Sequence, residues 1–453
     1  MNRRILRLAL PNIITNITVP LLGMVDTAIM GHLSPEGLGA IAIGAAIFNL
    51  IYWNFGFLRM GTSGITAQAY GARRWDLAVR TLVQAGAIAL AIALILIALQ
   101  WPISLLVPVI FEGSDEVLGM ALAYFRVRIW AAPATLGLYA IKGWFIGMQD
   151  SKTPMWIAIA LNCVNILFSL LFVLVFHWDI AGVALGTVVA QYSGLAMGIL
   201  FLRKKLRTES GERSAASDEL STFNFQLSTL KAALRWADMR RFFRVNGDIF
   251  LRTVCLSAVF TFITAAGSHI GDEVLAVNNL LMQFFTLFSY IMDGFAYAGE
   301  SLVGRYIGAR EPRNLRSAVR LLLLWGLALT GVFTVAYAIG GDWFLRIFTD
   351  QQAVIDAAGR YLFWVLVIPV CGFAAFLFDG IFIGATASRT MRNAMFAATA
   401  AFFALYYGLK AAFSPLDTLA WNNILWIAFM AFLTLRGVLQ AIRLQKDIYS
   451  QAE

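Results

Sequence analysis

One carboxylate, Asp26, lies inside an apolar run from Pro11 to Met30 that holds no cation. Near a bilayer centre such a charge costs about 2.5–3.5 kcal/mol. Asp26 must therefore face a wet cavity, bind a cation or hold a proton; the plain alternative is a side chain reaching outward or satisfied by neighbouring hydroxyls. Pro20, earlier in the run, cannot donate to the carbonyl of Asn16 and predicts a helix kink. Counting at about 1.5 Å per residue puts Asp26 in the outer half of the membrane. Asn162, Asn165 and Ser169 of the fifth apolar run and Thr187 of the sixth fall at the same depth. Asn165 and Ser169, four apart, share a helix face. Asp26, Asn165, Ser169 and Thr187 are expected to form one polar pocket that couples to a cation or proton. Against this, Ser and Thr are also ordinary packing residues in membrane helices.

A second group of charges falls in the inner half: Arg59, Lys142, Asp248, Arg252, Asp293, Glu300 and Asp379. It reads either as a structural ion-pair cluster whose Arg and Lys reach toward the interface, or as an inner gate or cation-recognition site. Trp53, Phe55, Phe57, Phe284, Phe285, Phe288, Tyr290 and Tyr297 are candidates for lining a cleft that holds apolar or cationic compounds. Cys163, Cys255 and Cys371 lie within apolar runs, so no disulfide framework is expected. His32, His177 and His269 stand apart at run ends, against a histidine metal site. No cofactor is called for.

The elements that must position these residues are membrane helices. The 453-residue chain is 60% hydrophobic and 13% charged, with a mean hydropathy of +0.74. Continuous apolar runs of about 20 residues recur, which excludes both a soluble domain and an outer-membrane barrel. Twelve spans are predicted: 8–30, 37–60, 80–110, 118–148, 155–177, 180–202, 241–268, 273–299, 316–348, 354–385, 391–412 and 418–442. The net charge of +9 sits in alternate loops, among them Arg73-Arg74, Lys152, Arg203 to Arg244, Arg310 to Arg316, and Arg389 with Arg392. That pattern argues against nucleic acid and puts both termini in the cytoplasm. Arg3, Arg4 and Arg7 precede an uncleaved first helix.

Residues 203–240 read as a cytoplasmic linker with a short amphipathic helix over 227–239. It separates an N-terminal six-helix lobe, 1–202, from a C-terminal one, 241–453. The lobes repeat at a single offset of 237. The offset takes His32 to His269, Gly71-Ala72-Arg73 to Gly308-Ala309-Arg310 and Tyr124 to Tyr361. It also carries Gly143-x-Phe145-Ile146-Gly147 onto Gly380-x-Phe382-Ile383-Gly384, but Asp26 onto Ile263. Six spans per repeat is even, so the lobes share a topology and a pseudo-two-fold axis runs along the membrane normal. The fold class is all-α polytopic, twelve transmembrane helices in two six-helix lobes, as in alternating-access transporters.

The run Val19-Pro20-Leu21-Leu22-Gly23-Met24-Val25-Asp26-Thr27-Ala28 with Gly31-His32-Leu33 resembles the first helix of the DinF branch of the MATE (multidrug and toxic compound extrusion) exporters. So do Leu58-Arg59-Met60, Thr66-Ala67-Gln68-Ala69-Tyr70-Gly71-Ala72, Asp293-Gly294-Phe295-Ala296-Tyr297-Ala298-x-Glu300 and Leu377-Phe378-Asp379-Gly380-x-Phe382-Ile383-Gly384-Ala385-Thr386. The resemblance covers nearly the whole chain. It implies export of amphipathic or cationic compounds coupled to inward H⁺ or Na⁺, a cation site at Asp26 with Asn165 and Thr187, and a monomer in the bacterial inner membrane. One departure stands out: where relatives often carry a second acid one turn after the Asn, this chain has Ser169. A lone carboxylate weakens any Na⁺ cage, because hard cations favour charged oxygen ligands, so H⁺ is the favoured coupling ion and Na⁺ the alternative. The rival readings are a flippase for a lipid-linked precursor, which would want a cationic cavity, a passive channel, which fits a duplicated chain with one off-axis acid poorly, and a membrane-embedded enzyme, for which no catalytic motif is found.

Overall fold

The computed structural model describes residues 1–214, 236–415 and 417–453, and among these described residues every regular element is helical. In chain order the helices are α1 (Asn2–Gly31), α2 (Pro35–Asn54), α3 (Phe57–Gly71), α4 (Trp75–Ala98), α5 (Gln100–Ile110), α6 (Asp115–Arg128), α7 (Ala132–Gly147), α8 (Lys152–Leu170) and α9 (Asp179–Ser214). The second half supplies α10 (Trp236–Ile270), α11 (Asp272–Gly308), α12 (Pro312–Phe348), α13 (Gln352–Gly359), α14 (Leu362–Gly384), α15 (Ser388–Phe413) and α16 (Thr418–Asp447). Starts follow from local chemistry. Ser34 caps α2 by accepting from the Gly37 amide at 2.9 Å, and Asp417 caps α16 by accepting from Ala420 at 2.7 Å.

Eleven helices among the described residues are long and apolar enough to cross a membrane. The predicted span 118–148 is not one of these. It is built from α6 and α7, 14 and 16 residues long, joined by a 3₁₀ turn at Ile129–Ala131. The faces turned outward need lipid: Ile339 is 84% exposed, Val109 79% and Ile442 71%. Pro20 does not interrupt α1, which runs unbroken through it; Asn162 of α8 donates to the Thr18 carbonyl just upstream, at 2.8 Å. The chain 203–214 is helical, as the continuation of α9, and most of the amphipathic helix expected over 227–239 lies outside the described residues.

The chain forms two compact units. One comprises Ile14–Tyr70 with Arg74–Arg244, the other Met1–Ile13, Gly71–Arg73 and Val245–Glu453. The opening residues group with the later spans for a visible reason. Arg4 donates to the Tyr306 hydroxyl at 3.3 Å, Trp325 Nε1 donates to Asn2 Oδ1 at 3.3 Å, and Gly294 has no side chain where Ile13 packs.

In each half of the chain the same devices recur at the offset of 237. Gly143 sits so close to the backbone of Arg59, and Gly147 to that of Ser63, that a Cβ on either would overlap it. Gly380 meets Ala296 and Gly384 meets Glu300 in the same way. These glycines let α7 lie against α3 and α14 against α11 at backbone distance. The residues that end paired helices also match: Arg73 and Arg310 both have φ 56°, Gln149 has φ 62° and Thr386 φ 54°. The units differ in continuity. The C-terminal α11 and α12 are single helices, whereas their N-terminal counterparts are split into α2 and α3, at Phe55–Gly56, and α4 and α5, at Leu99.

Candidate functional site in the N-terminal unit

Asp26, in the last turns of α1, is 1% exposed and ringed by polar groups from three other helices. From α8, Asn165 Nδ2 donates to Oδ1 at 3.5 Å. The Thr187 hydroxyl on α9 donates to Oδ2 at 3.2 Å, and the Tyr124 hydroxyl on α6 donates to the same oxygen at 3.4 Å. Asn165 Nδ2 also reaches Thr187 Oγ1 at 3.1 Å and Ser169 Oγ at 3.3 Å. The four residues singled out in the sequence, Asp26, Asn165, Ser169 and Thr187, thus form one buried cluster. Gly186 makes this meeting possible: it has no side chain where Ser169 presses against α9, so α8 and α9 approach closely at the pocket.

The bonds to the carboxylate are long for their type, and their donors are shared. The Thr187 hydroxyl also points at the Val183 carbonyl, 3.3 Å away, and can satisfy only one acceptor at a time. Asn165 Oδ1 is buried without a hydrogen-bond partner. A carboxylate held loosely beside a spare acceptor is a place where a proton or a small cation can be taken up. Among the described residues no three His, Cys, Asp or Glu side chains gather as a metal site.

Two residues of this site were not singled out in the sequence. Arg128, one turn after Tyr124 on α6, donates a hydrogen bond to the Tyr124 hydroxyl. Its guanidinium lies over the Phe48 ring, 4.8 Å from the centroid, and feels the charge of Asp26. The signal for it was an Arg four residues after a Tyr, within a predicted span.

The inner charges separate by unit. In the C-terminal unit Asp379 is salt-bridged to Arg252 and to Arg436, the latter at 2.7 Å, and accepts from Gln440 Nε2 at 3.1 Å. Arg252 is 5% exposed, so it does not reach outward as the cluster reading assumed; it turns inward onto the acid, as does Arg436, 4% exposed and not singled out in the sequence. Asp293 lies within electrostatic range of Arg436, and Asp248 binds Arg392 at 2.6 Å and Ser388 at 2.8 Å. Glu300 is buried on α11. Arg59 and Lys142 belong to the N-terminal unit, where they are electrostatic neighbours of each other. Of the expected cleft aromatics, Phe284, Phe285 and Phe288 are buried and pack edge-on or tilted against Tyr337, Phe429 and Phe376. They are core, not cavity wall.

Known proteins bear directly on this arrangement. The MatE family model matches residues 11–171 and 249–407, one segment in each half. The DNA damage-inducible protein F of Escherichia coli (strain K12) is 39% identical over 436 residues, covering 95% of this chain and 89% of that protein. The chain belongs to the MatE family. A second MatE relative, the probable multidrug resistance protein NorM of Geobacillus kaustophilus (strain HTA426), is 24% identical over 81% of this chain and 79% of its own. An outward-facing multidrug resistance MATE family transporter of the MOP superfamily superimposes with a TM-score of 0.82 at 18% identity, covering 99% of this chain and 96% of its own. The twelve-span, two-lobe MatE fold predicted from the sequence is therefore the fold of this chain, a multi-pass membrane transport protein.

Proposed function

We propose that the protein is a secondary antiporter that exports amphipathic or cationic compounds in exchange for H⁺ taken up at Asp26. The observation that carries this is the Asp26 pocket: one buried carboxylate, held by long and shared hydrogen bonds, with an unpartnered acceptor on Asn165 beside it. In the ionised state Asp26 Oδ2 accepts from Thr187 and Tyr124. A proton arriving from outside gives Oδ2 a donor of its own, and at least one of those two hydroxyls must turn to accept it. The hydrogen bonds tying α1 to α6, α8 and α9 are thereby rewritten, and Pro20 marks where α1 yields most easily. Loss of the proton to the cytoplasm resets the site. The membrane potential supplies about 2.3 kcal/mol per charge per 100 mV. On this reading the chain sits in the bacterial inner membrane with both termini in the cytoplasm, as the loop charges indicate.

Asp26→Asn tests it. The variant removes the titratable charge and keeps the shape, so it should insert at wild-type levels and lose pH-driven transport of a fluorescent cation into inverted membrane vesicles. Transport retained at the wild-type rate would refute the role given to Asp26.

A further inference from the structure

We propose that Arg128 is the built-in counter-charge of Asp26 and that it reserves the site for a proton by excluding Na⁺. This rests on the reading of Asp26 as the coupling residue and names its ion specificity. The connection is a directional chain: Arg128 donates to the Tyr124 oxygen, and the Tyr124 hydroxyl donates to Asp26 Oδ2 at 3.4 Å. A guanidinium stays protonated in proteins, so this positive charge is permanent.

The groups that touch the pair are neutral, and the next charge, Arg59, acts on Tyr139 beyond them. Tyr52 of α2 faces Arg128, with Tyr139 of α7 and Tyr192 of α9 around it, and Asn165, Ser169 and Thr187 complete the carboxylate side. With Asp26 ionised, the charges of Asp26 and Arg128 cancel. The pocket then has no need of a metal ion.

A proton and a sodium ion have different consequences here. The proton is absorbed into a neutral carboxyl, and the only charge left is that of Arg128, which is half-buried and lies on the ring of Phe48. Sodium stays a charge. It would share one buried carboxylate with a guanidinium already linked to it, and it would find a serine at 169 in place of a second anionic ligand. In a site of low dielectric that repulsion is not screened. Arg128 thus does through Tyr124 what a bound Na⁺ would do directly. The tyrosine keeps the two charges from closing into a salt bridge that a proton could not open.

The charge count can be tested from two directions. Arg128→Gln and Ser169→Asp each lower the pocket charge by one, at different places on different helices, while Arg128→Lys leaves it unchanged. Transport of a fluorescent cation into inverted vesicles is measured with a pH gradient or a Na⁺ gradient imposed alone, and the amount of each variant in the membrane is determined by immunoblot. Wild type and Arg128→Lys should respond to the pH gradient only. Arg128→Gln and Ser169→Asp should both acquire Na⁺-driven transport about tenfold above the background uptake of wild type under the same gradient, a typical coupling free energy. A purely structural Arg128 would not make the Ser169→Asp variant behave like Arg128→Gln.

The assignment is overturned if wild type runs on the Na⁺ gradient, or if the variants reach the membrane and stay blind to Na⁺. Should Arg128→Gln fail to insert, Arg128→Met, which removes the same charge and keeps an apolar stem on the Phe48 ring, takes its place in the comparison. Asp26→Asn in the same assay separates the two ideas. If it is inactive under both gradients, the coupling role of Asp26 stands whatever Arg128 does; if it is active under the pH gradient, the coupling role itself fails.

Discussion

The two units carry the same scaffold and opposite electrostatics. At the positions where the N-terminal unit has Asp26, Tyr124, Arg128, Asn165 and Ser169, the offset of 237 gives Ile263, Tyr361, Val365, Phe402 and Tyr406 in the C-terminal unit. All five are buried, and Phe402 and Tyr406 pack edge-on against Phe262 at 5.7 and 5.0 Å. The Asp26 site is polar in one unit and aromatic in the other. The Asp379 site is reversed: Asp379, Arg252 and Arg436 correspond to Lys142, Thr15 and Ile199. The two acids differ in kind as well as in place. Asp379 touches two guanidiniums directly, whereas Asp26 meets neutral donors first and a guanidinium only beyond a phenol. A carboxylate gripped by two permanent cations is fixed in charge and serves as a lock. One held by three neutral donors can change its charge without tearing the fold. On the function proposed above, the duplicated frame carries one responsive acid and one structural acid.

Neutralising each acid in turn gives the largest expected contrast. Asp379→Asn leaves Arg252 and Arg436 buried without their shared counter-ion, and breaking a buried pair in this way costs about 3–5 kcal/mol. The melting temperature of the purified protein in detergent should fall steeply, and its membrane level with it. Asp26→Asn removes a charge without orphaning a direct ionic partner, so its melting temperature should stay near wild type while transport is lost. If Asp379→Asn proved stable but transport-dead, the C-terminal acid would be a second coupling site and the contrast would collapse.

Much of this was legible in the sequence, for reasons that can be named. The repeat was visible because backbone approach leaves an imprint on side chains: only glycine fits where Gly143 meets Arg59 and Gly380 meets Ala296, so the spacing persists in both halves. The Asp26 pocket was legible because depth along a helix is simple arithmetic, and Asn165, Ser169 and Thr187 share that depth. Arg128 was missed because its role depends on a contact across helices: Tyr124 was noticed only as a repeat marker, and nothing in the run around Arg128 points to α1. The breaks at Phe55–Gly56 and Ile129–Ala131 were missed because hydropathy is indifferent to whether an apolar stretch is one helix or two. The inward turn of Arg252 was misjudged for a related reason, and its companion Arg436 was not singled out at all. An Arg side chain reaches far in either direction, and its helix position alone does not choose between interface and core.

The frame that the units share should respond alike in both. Gly143→Ala and Gly380→Ala each drive a methyl into the facing backbone, at Arg59 and Ala296. No flexible side chain stands there to move aside, and such overpacking costs about 1–3 kcal/mol. The two variants should lose similar amounts of thermal stability in detergent. A loss in one and none in the other would mean that the units only look alike, and that one of the glycines serves motion instead of packing.

The smallest expected effect comes from trimming one hydroxyl at matched positions. Ser169→Ala removes the 3.3 Å bond from Asn165, and Tyr406→Phe removes the 2.9 Å bond from Trp421 Nε1. Each is one neutral hydrogen bond, so each should cost only about 0.5–1.5 kcal/mol of stability. Their effects on transport should nonetheless differ. Without Ser169 the Asn165 amide has one acceptor fewer, and its hydrogens shift toward Asp26 and Thr187, strengthening the hold on the ionised carboxylate. Proton uptake then becomes harder, and pH-driven transport should reach half its maximum at a lower external pH. Tyr406→Phe should leave that midpoint where it is, because its hydroxyl bonds the indole of Trp421 in a unit whose matching site holds no acid. A midpoint that moves equally in both variants would show that the two sites feel each other, and the division of labour between the halves would have to be redrawn.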